Sequence, residues 1–177
     1  MAYVGEMELD GVKIVNRDFT GEKNFKKFGG SYTRTFSVEI SDPDLQDKLT
    51  DLGLNLWGYP STNYDEPPKK YLNVKVDFRF NKGNDSDVKV IMLTPDGVGC
   101  ELDEDSLGTL NNAWIKNADL YVKFKSYERG MKSGVTAYCQ TLIVTLMAEE
   151  ERQALMEASA NKPNPLYEKY KLSAIKW

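Results

Sequence analysis

Aromatic and basic side chains occupy every second position from residue 121 to residue 127. They are Tyr121, Lys123, Lys125 and Tyr127. In a β-strand, residues spaced in this way point to the same side of the sheet. Flat aromatic rings stack on unpaired nucleobases of any sequence, and ammonium groups bind the phosphates between them. The pattern therefore indicates a surface suited to single-stranded nucleic acid. The alternative is an exposed edge strand with amphipathic tyrosines that its lysines keep soluble.

Basic residues are concentrated in three stretches of the chain, at residues 17–34, 69–82 and 121–132. These stretches hold fourteen basic and four acidic residues, a net charge of +10, whereas the whole chain carries −4. The rest of the chain is therefore strongly acidic, and the isoelectric point near 5.0 does not exclude a basic surface. We expect the three stretches to converge on one groove.

The chain contains no histidine and only two cysteines, Cys100 and Cys139. Histidine-dependent catalytic triads and four-thiolate zinc sites are therefore excluded. We expect both cysteines to be buried thiols, with one disulfide left open as an alternative. Acidic residues at Asp103-Glu104-Asp105, and at Asp85 and Asp87, leave open a magnesium-dependent nuclease. Capping of a helix start is a sufficient explanation of the first group.

Apolar and polar residues alternate with a period of two along much of the chain, which is typical of half-buried strands. We expect strands at residues 7–19 with a break at Gly11, and at residues 36–40, 72–80, 88–93, 120–124 and 135–146. Helical signals occur at residues 43–52, 103–110 and 148–160. Gly29-Gly30 is expected at the tip of a flexible basic hairpin. These elements predict an antiparallel β-protein, either a barrel or a sandwich.

The C-terminal residues differ from the rest of the chain in composition. We therefore divide the sequence into residues 1–147 and residues 148–177, the second part being a C-terminal helix followed by a polar arm. No apolar run approaches the roughly 20 residues that span a bilayer, and the first residues lack a signal-peptide pattern. We expect a soluble, cytoplasmic protein that does not contact a membrane.

Several short runs between residues 12 and 146 occur in the order and spacing of a known family. They are Asn16-Arg17-Asp18-Phe19-Thr20-Gly21, Tyr32-Thr33-Arg34-Thr35-Phe36, Asp65-Glu66-Pro67 ahead of residues 71–76, and residues 101–106, 115–120 and 132–138. In these runs the chain resembles bacteriophage single-stranded DNA-binding proteins with an oligonucleotide/oligosaccharide-binding (OB) fold. The resemblance implies a mainly β protein: an OB-type antiparallel β-barrel with one or two inserted short helices and a C-terminal helix.

The resemblance also implies a function. It implies a non-enzymatic protein without a cofactor that coats single-stranded DNA in the host cytoplasm during phage DNA replication or recombination. Phage replication or recombination proteins are implied partners, and the C-terminal helix and arm could join two copies. The chain departs from the family where Lys123-Phe124-Lys125-Ser126-Tyr127 lacks the usual tryptophan, and where a lysine-rich end replaces an acidic tail. A phage structural or assembly β-protein and a magnesium-dependent nuclease remain the alternatives.

The candidate binding residues are basic and aromatic residues in or beside the first and third basic stretches. They are Arg17, Phe19, Phe28, Tyr32 and Arg34, together with Lys123, Lys125, Tyr127, Arg129, Lys132 and Tyr138. In an OB-type barrel the first two strands contribute to the binding face, which favours the first group. For Phe19 the alternative is core packing, and for the arginines it is surface solubility. Trp57 and Trp114 lie beside apolar residues and are expected in the core.

Overall fold

The computed structural model describes residues 2–58, 69–79 and 88–160. Within these ranges it contains eight strands, three α-helices and one 3₁₀ helix. The strands are β1 (Ala2–Leu9), β2 (Ile14–Asp18), β3 (Arg34–Ile40), β4 (Lys70–Val76), β5 (Lys89–Leu93), β6 (Gly99–Leu102), β7 (Ile115–Arg129) and β8 (Lys132–Leu146). The helices are α1 (Glu22–Phe28), α2 (Pro43–Asp51) and α3 (Glu149–Ala160), with the 3₁₀ helix at Leu107–Asn111.

The long hairpin of β7 and β8 organises the sheet. The strand order is β1-β7-β8-β4-β3-β2, and β5 joins both β8 and β6. One edge of β8 pairs with β7 along the strand, and the other edge pairs first with β4 and then with β5. Both of these pairings are parallel, so the expectation of a purely antiparallel sheet is corrected to a mixed one. The strand path is also open rather than closed among the described residues.

The core is formed by every second residue of the strands, as the alternating pattern predicts. Val74 on β4, Phe36 on β3, and Leu120 and Phe124 on β7 are almost completely buried. Removing such side chains from water is the main favourable contribution to folding. The side chains between them point to the opposite side of the sheet, which we call the outer face. The mainly β architecture expected from the sequence is confirmed.

Helix α2 begins and ends close to the predicted positions. The Asp42 carboxylate accepts a hydrogen bond from the Asp44 backbone N–H at 3.0 Å, and Pro43 occupies the first turn, where its missing N–H costs nothing. The buried Gln46 side chain donates to the Ile40 carbonyl oxygen at 2.7 Å, and Leu49 is fully buried. These contacts attach α2 to the end of β3.

Helix α1 occupies much of the connection between β2 and β3, where a basic hairpin tip was expected at Gly29-Gly30. The connection does join two antiparallel strands, but it is helical up to Phe28. The Asp18 carboxylate accepts hydrogen bonds from the backbone N–H groups of Lys23 and Asn24, at 3.3 and 2.8 Å, and thereby caps the helix start. Gly21 precedes the helix with φ of 79°, and a Cβ atom there would lie 2.5 Å from the Tyr32 backbone carbon. Only glycine fits this close approach.

The C-terminal residues form a second unit. Contacts divide the chain into residues Met1–Leu146 and Met147–Trp177, and the described part of the second unit is α3. Three glutamates, Glu149–Glu151, lie in the first turn of α3, where negative charge suits the helix dipole. The predicted polar arm and most of the connection after Trp57 lie outside the described residues. None of the described helices is long and apolar enough to cross a membrane.

Candidate nucleic-acid interface

Basic and aromatic side chains come together on the outer face of β4, β8 and β7. Lys75 pairs with Tyr138, and Tyr138 pairs with Lys123. Paired residues lie on the same side of a sheet, and two strand spacings separate the two lysines by roughly 10 Å at the backbone. One tyrosine ring therefore lies between two ammonium-bearing side chains that come from different basic stretches of the sequence.

A second row of pairs extends this surface. Lys89 on β5 pairs with Thr141, and Thr141 pairs with Tyr121. Lys125 and Tyr127 follow on the same face of β7, as their spacing predicts. We call the combined surface the lysine–tyrosine patch. It consists of Lys75, Lys89, Tyr121, Lys123, Lys125, Tyr127 and Tyr138.

Tyr127 and Tyr138 of the patch have different surroundings. The ring of Tyr127 lies across Gly134, where a Cβ atom would come within 2.6 Å of the Tyr127 hydroxyl oxygen. Tyr138 is half-buried; burial and the negative charge of Asp77 raise its pKa, and the positive charge of Arg129 lowers it. The Tyr138 hydroxyl therefore stays protonated at neutral pH, and its ring lies among charges of both signs.

Tyr121 is bound to an acidic residue of the neighbouring edge strand. Its hydroxyl donates to the carboxylate of Glu6 on β1, and this bond, followed by desolvation, raises the pKa of Tyr121 to about 12. The same bond lowers the pKa of Glu6. Glu6 also pairs with Lys123, so β1 brings a negative charge to one margin of the patch.

Replacing Glu6 by glutamine is expected to lower the pKa of Tyr121 from about 12 towards its ordinary value of 10.0, because the phenol loses an anionic acceptor. The folded pKa lies above the unfolded one, so the stabilisation is complete below pH 10 and disappears as the pH rises through about 12. A spectrophotometric tyrosinate titration measures the shift, with Tyr121→Phe identifying the step. Glu8→Gln is the control and should shift the pKa of Tyr121 much less, because the charge of Glu8 is the smallest of the causes that raise it. Superposable curves for Glu6→Gln and wild type would contradict the assignment.

Aromatic rings at α1 lie beside the patch. The rings of Phe25 and Tyr32 stack with their centroids 4.4 Å apart and an angle of 8° between their planes. Phe28 is 74% exposed, with the Lys27 ammonium 5.2 Å from its ring centre. The Asn24 side chain donates to the Thr35 hydroxyl at 2.8 Å. Because Thr35 pairs with Lys75, this bond places α1 next to the patch.

Two residues of the first predicted group are structural. Phe19 is 0% exposed and packs on Phe36 with the ring centres 5.3 Å apart, so it offers no face to a base. The Arg17 guanidinium donates to the carbonyl oxygens of Leu110 and Ala113, at 3.1 and 2.7 Å, and burial lowers its pKa. Arg17 thus attaches the 3₁₀ helix to β2. For Phe19 the prediction of a base contact is corrected, whereas for Arg17 the structure shows a role in packing that the sequence did not indicate.

Arg129 and Lys132 lie beside the patch, whereas Arg34 does not. Arg34 pairs with the buried Val76, so its side chain lies on the core side of the sheet and the structure does not bring it to the outer face. Arg34 donates to the Glu104 backbone oxygen at a long 3.5 Å, and its Nε is buried without a hydrogen-bond partner. Arg129 and Lys132 pair with each other at the exposed end of the β7–β8 hairpin. Phe28 is exposed on α1, and Tyr32, which stacks on Phe25 of that helix, is 54% exposed. The structure therefore brings most, but not all, of the predicted residues to one side of the sheet.

Both tryptophans that the sequence assigns to the core lie elsewhere, so this prediction is wrong. Trp57 is half-buried, stacks on Tyr71 with ring centres 4.6 Å apart, and donates from Nε1 to Asn73 Oδ1 at 2.8 Å. Asn73 and Tyr71 alternate with buried residues of β4, so the tryptophan covers its outer face. Trp114 is 41% exposed.

The two cysteines differ in burial. Cys139 is buried, and burial raises its pKa to about 12, whereas Cys100 is exposed, contrary to prediction.

The Asp103 carboxylate accepts hydrogen bonds from the Ser106 N–H and hydroxyl at 2.9 and 2.8 Å, which supports capping. Across residues 2–58, 69–79 and 88–160, no three potential ligand side chains cluster as for a metal ion. Asp85 and Asp87 lie outside the described residues.

Lys75 and Lys89 were absent from the predicted site. Lys75 belongs to a strand whose polar face mixes charges, and Lys89 opens a short strand, so neither stands out locally. Their position depends on the tandem pairing of β4 and β5 with one edge of β8. The excess of positive charge at residues 69–82 was the available signal for Lys75.

Comparison with known proteins identifies the class of protein to which this fold and its basic, aromatic face belong. The family model described as a putative phage ssDNA-binding domain matches residues 1–164. The chain therefore belongs to this family of phage single-stranded DNA-binding proteins, and binding of single-stranded DNA is its function. The family resemblance seen in the sequence is confirmed. No curated protein matches the chain.

Solved structures of phage proteins are similar to this chain. The single-stranded DNA-binding protein from bacteriophage Enc34 aligns with a TM-score of 0.50 and 8% identity, over 82% of this chain and 83% of that one. It shows a shared fold, with which the open, OB-type sheet is compatible. The Enc34 protein in complex with ssDNA aligns with a TM-score of 0.45 and 10% identity, over 82% and 88% of the two chains. The gp2.5 protein, a single-stranded DNA-binding protein encoded by bacteriophage T7, aligns with a TM-score of 0.43 and 9% identity, over 81% of this chain and 92% of that one.

Proposed function

We propose that the chain binds single-stranded DNA without sequence preference, through the lysine–tyrosine patch and the exposed rings of α1. The observation that carries this proposal is the register that sets Tyr138 between Lys75 and Lys123 on the outer face. Its role is to coat single strands in the host cytoplasm during phage DNA replication or recombination. It acts as a binding protein and not as an enzyme.

The chemistry of the patch explains why base sequence would not matter. A tyrosine ring stacks on any base because every base has a π-face. A lysine ammonium is a compact point charge that binds a phosphate without reading the base attached to it. Rings and ammonium groups that lie side by side on one face can therefore contact both the bases and the phosphates of an unpaired strand.

The acidic residues near the patch favour binding over nuclease chemistry. Glu6 is bonded to Tyr121, Asp77 to Arg79, and Asp103 to its own turn, so each carboxylate has a structural role. Partners among the phage replication or recombination proteins, and pairing of two copies through α3 and the arm, stay predictions.

Titration of the full chain with a dT oligonucleotide at several salt concentrations tests the proposal. The logarithm of the binding constant is expected to fall linearly with the logarithm of the salt concentration, by about 0.7 for each phosphate neutralised. Oligonucleotides of mixed sequence should bind within a small factor of dT. A binding constant insensitive to salt, or a preference for duplex DNA, would refute the proposal.

Replacing Tyr138 by alanine is expected to weaken binding to single-stranded DNA by about 1–3 kcal/mol, the usual value of one base–ring stack. Tyr138→Phe is the matched control, because it keeps the ring and removes only the hydroxyl. It should bind nearly as well as wild type. Fluorescence anisotropy at low salt measures both variants, and equal losses of affinity in the two would show that the hydroxyl, and not stacking, is responsible.

A further inference from the structure

An ion pair lies where β4 ends, at the margin of the lysine–tyrosine patch. The Asp77 carboxylate accepts hydrogen bonds from the Arg79 backbone N–H and Nε, at 3.0 and 3.2 Å, and from Nη2 at 3.5 Å. The Arg79 side chain is 83% exposed, and that of Asp77 is 37% exposed. The carboxylate thus occupies one side of a guanidinium that otherwise faces solvent.

Asp77 also lies close to the central ring of the patch. It follows Lys75 by two residues, and Lys75 pairs with Tyr138. After burial, the charge of Asp77 is the next cause of the raised pKa of Tyr138, whereas the charge of Arg129 opposes it. The negative charge of Glu104 also contributes to raising the pKa of Arg79. A strand of DNA stacked on Tyr138 would therefore pass both a negative charge and an arginine that is already paired.

Carboxylates and phosphates bind guanidinium groups with the same two-pronged hydrogen-bond geometry. Exposed ion pairs are weak, so a phosphate can displace a carboxylate from such a pair. We propose that Asp77 is a built-in competitor for DNA phosphate, which occupies Arg79 and keeps negative charge beside Tyr138. Asp77 thereby lowers both the affinity for single-stranded DNA and its dependence on salt. This inference rests on the proposed function.

Such a competitor suits a protein that must leave DNA as well as bind it. When Asp77 holds Arg79, binding of a phosphate there exchanges one anion for another. The exchange yields less net charge neutralisation than binding of a phosphate to an unpaired arginine. Dissociation is favoured for the same reason, because the carboxylate is in place to recover the guanidinium.

The test is the Asp77→Asn variant of the full chain, titrated with a dT oligonucleotide over a salt series. Asparagine keeps the size of the side chain and removes its charge. The expected result is binding about three- to tenfold tighter at low salt, with a log–log salt slope steeper by about 0.7. Asp47→Asn, on the exposed side of α2, makes the same change in net charge away from the patch and should leave both values almost unchanged.

The same substitution in a chain that lacks Arg79 distinguishes competition for Arg79 from direct repulsion between Asp77 and the DNA phosphates. In an Arg79→Gln chain, Asp77→Asn should produce little of the gain in affinity and none of the gain in slope. An undiminished gain there would overturn competition for Arg79. Unchanged affinity and slope in Asp77→Asn, with a wild type that binds, would overturn this inference alone. A wild type without salt-dependent binding would overturn the proposed function and this inference with it.

Discussion

Replacing Lys75 and Lys123 together by glutamine is expected to weaken binding to single-stranded DNA by about 30- to 100-fold at low salt. The two residues flank Tyr138 in register, and in the proposed binding mode each neutralises a phosphate next to a stacked base. Loss of two phosphate contacts should also reduce the log–log salt slope by about 1.4. Titrations of both proteins with the same dT oligonucleotide over a salt series measure affinity and slope together.

The matched control for this experiment removes two lysines elsewhere. Lys48 lies on α2, and Lys116 lies at the opposite end of β7 from the patch. The Lys48→Gln and Lys116→Gln double variant has the same net charge as the test variant and should bind nearly as well as wild type. Equal losses in the two double variants would mean that overall charge, and not the patch, determines binding.

Replacing Phe19 by alanine is expected to lower the free energy of unfolding by about 3–5 kcal/mol. The ring is 0% exposed and packs on Phe36, so its removal leaves a cavity in the core. Urea unfolding followed by circular dichroism measures the change. Molecules that remain folded should bind DNA as wild type does, because the ring does not reach the outer face.

Phe28→Ala serves as the control for Phe19→Ala. Phe28 is 74% exposed at the end of α1, so its loss should change the free energy of unfolding by less than about 0.5 kcal/mol. The two phenylalanines are both close to basic residues in the sequence, and only their burial distinguishes them. A near-neutral Phe19→Ala with weakened DNA binding would show that the sequence-based assignment was correct after all.

The strands and their buried residues could be predicted because the period of two is a local property. The residues Leu72, Val74 and Val76 alternate with polar neighbours, and the structure buries all three. Helix α2 was equally predictable from Asp42 and Pro43. Each of these features depends on a few neighbouring residues, whose side chains and caps determine the local backbone.

The inward position of Phe19 could not be predicted from alternation alone. The register between β2 and β3 shifts between Val15 and Asp18, and Asn16 has a φ of 49°. This irregularity leaves the consecutive residues Asp18 and Phe19 both buried. Helix α1 was missed for a related reason, since its seven residues are too few for a periodic pattern and its start depends on the Asp18 carboxylate.

The composition of the patch was only partly predictable. Lys123, Lys125 and Tyr127 share a strand, so their common face follows from spacing. Lys75 and Lys89 join them through parallel pairing with β8, which connects residues far apart in the chain. Alternation of polar and apolar residues does not depend on whether a neighbouring strand is parallel or antiparallel, so no local signal shows this arrangement.

The tandem arrangement of β4 and β5 along one edge of β8 also bears on how such proteins can diversify. Both strands run in the same direction as β8, so β4 pairs with its edge at Ala137 and Tyr138 and β5 continues along the same edge from Thr141. Because the two ladders use different residues of β8, a change in the number of residues between Val76 and Lys89 need not alter the register of either ladder. The length of the chain between β4 and β5 can therefore vary in evolution while the sheet stays the same.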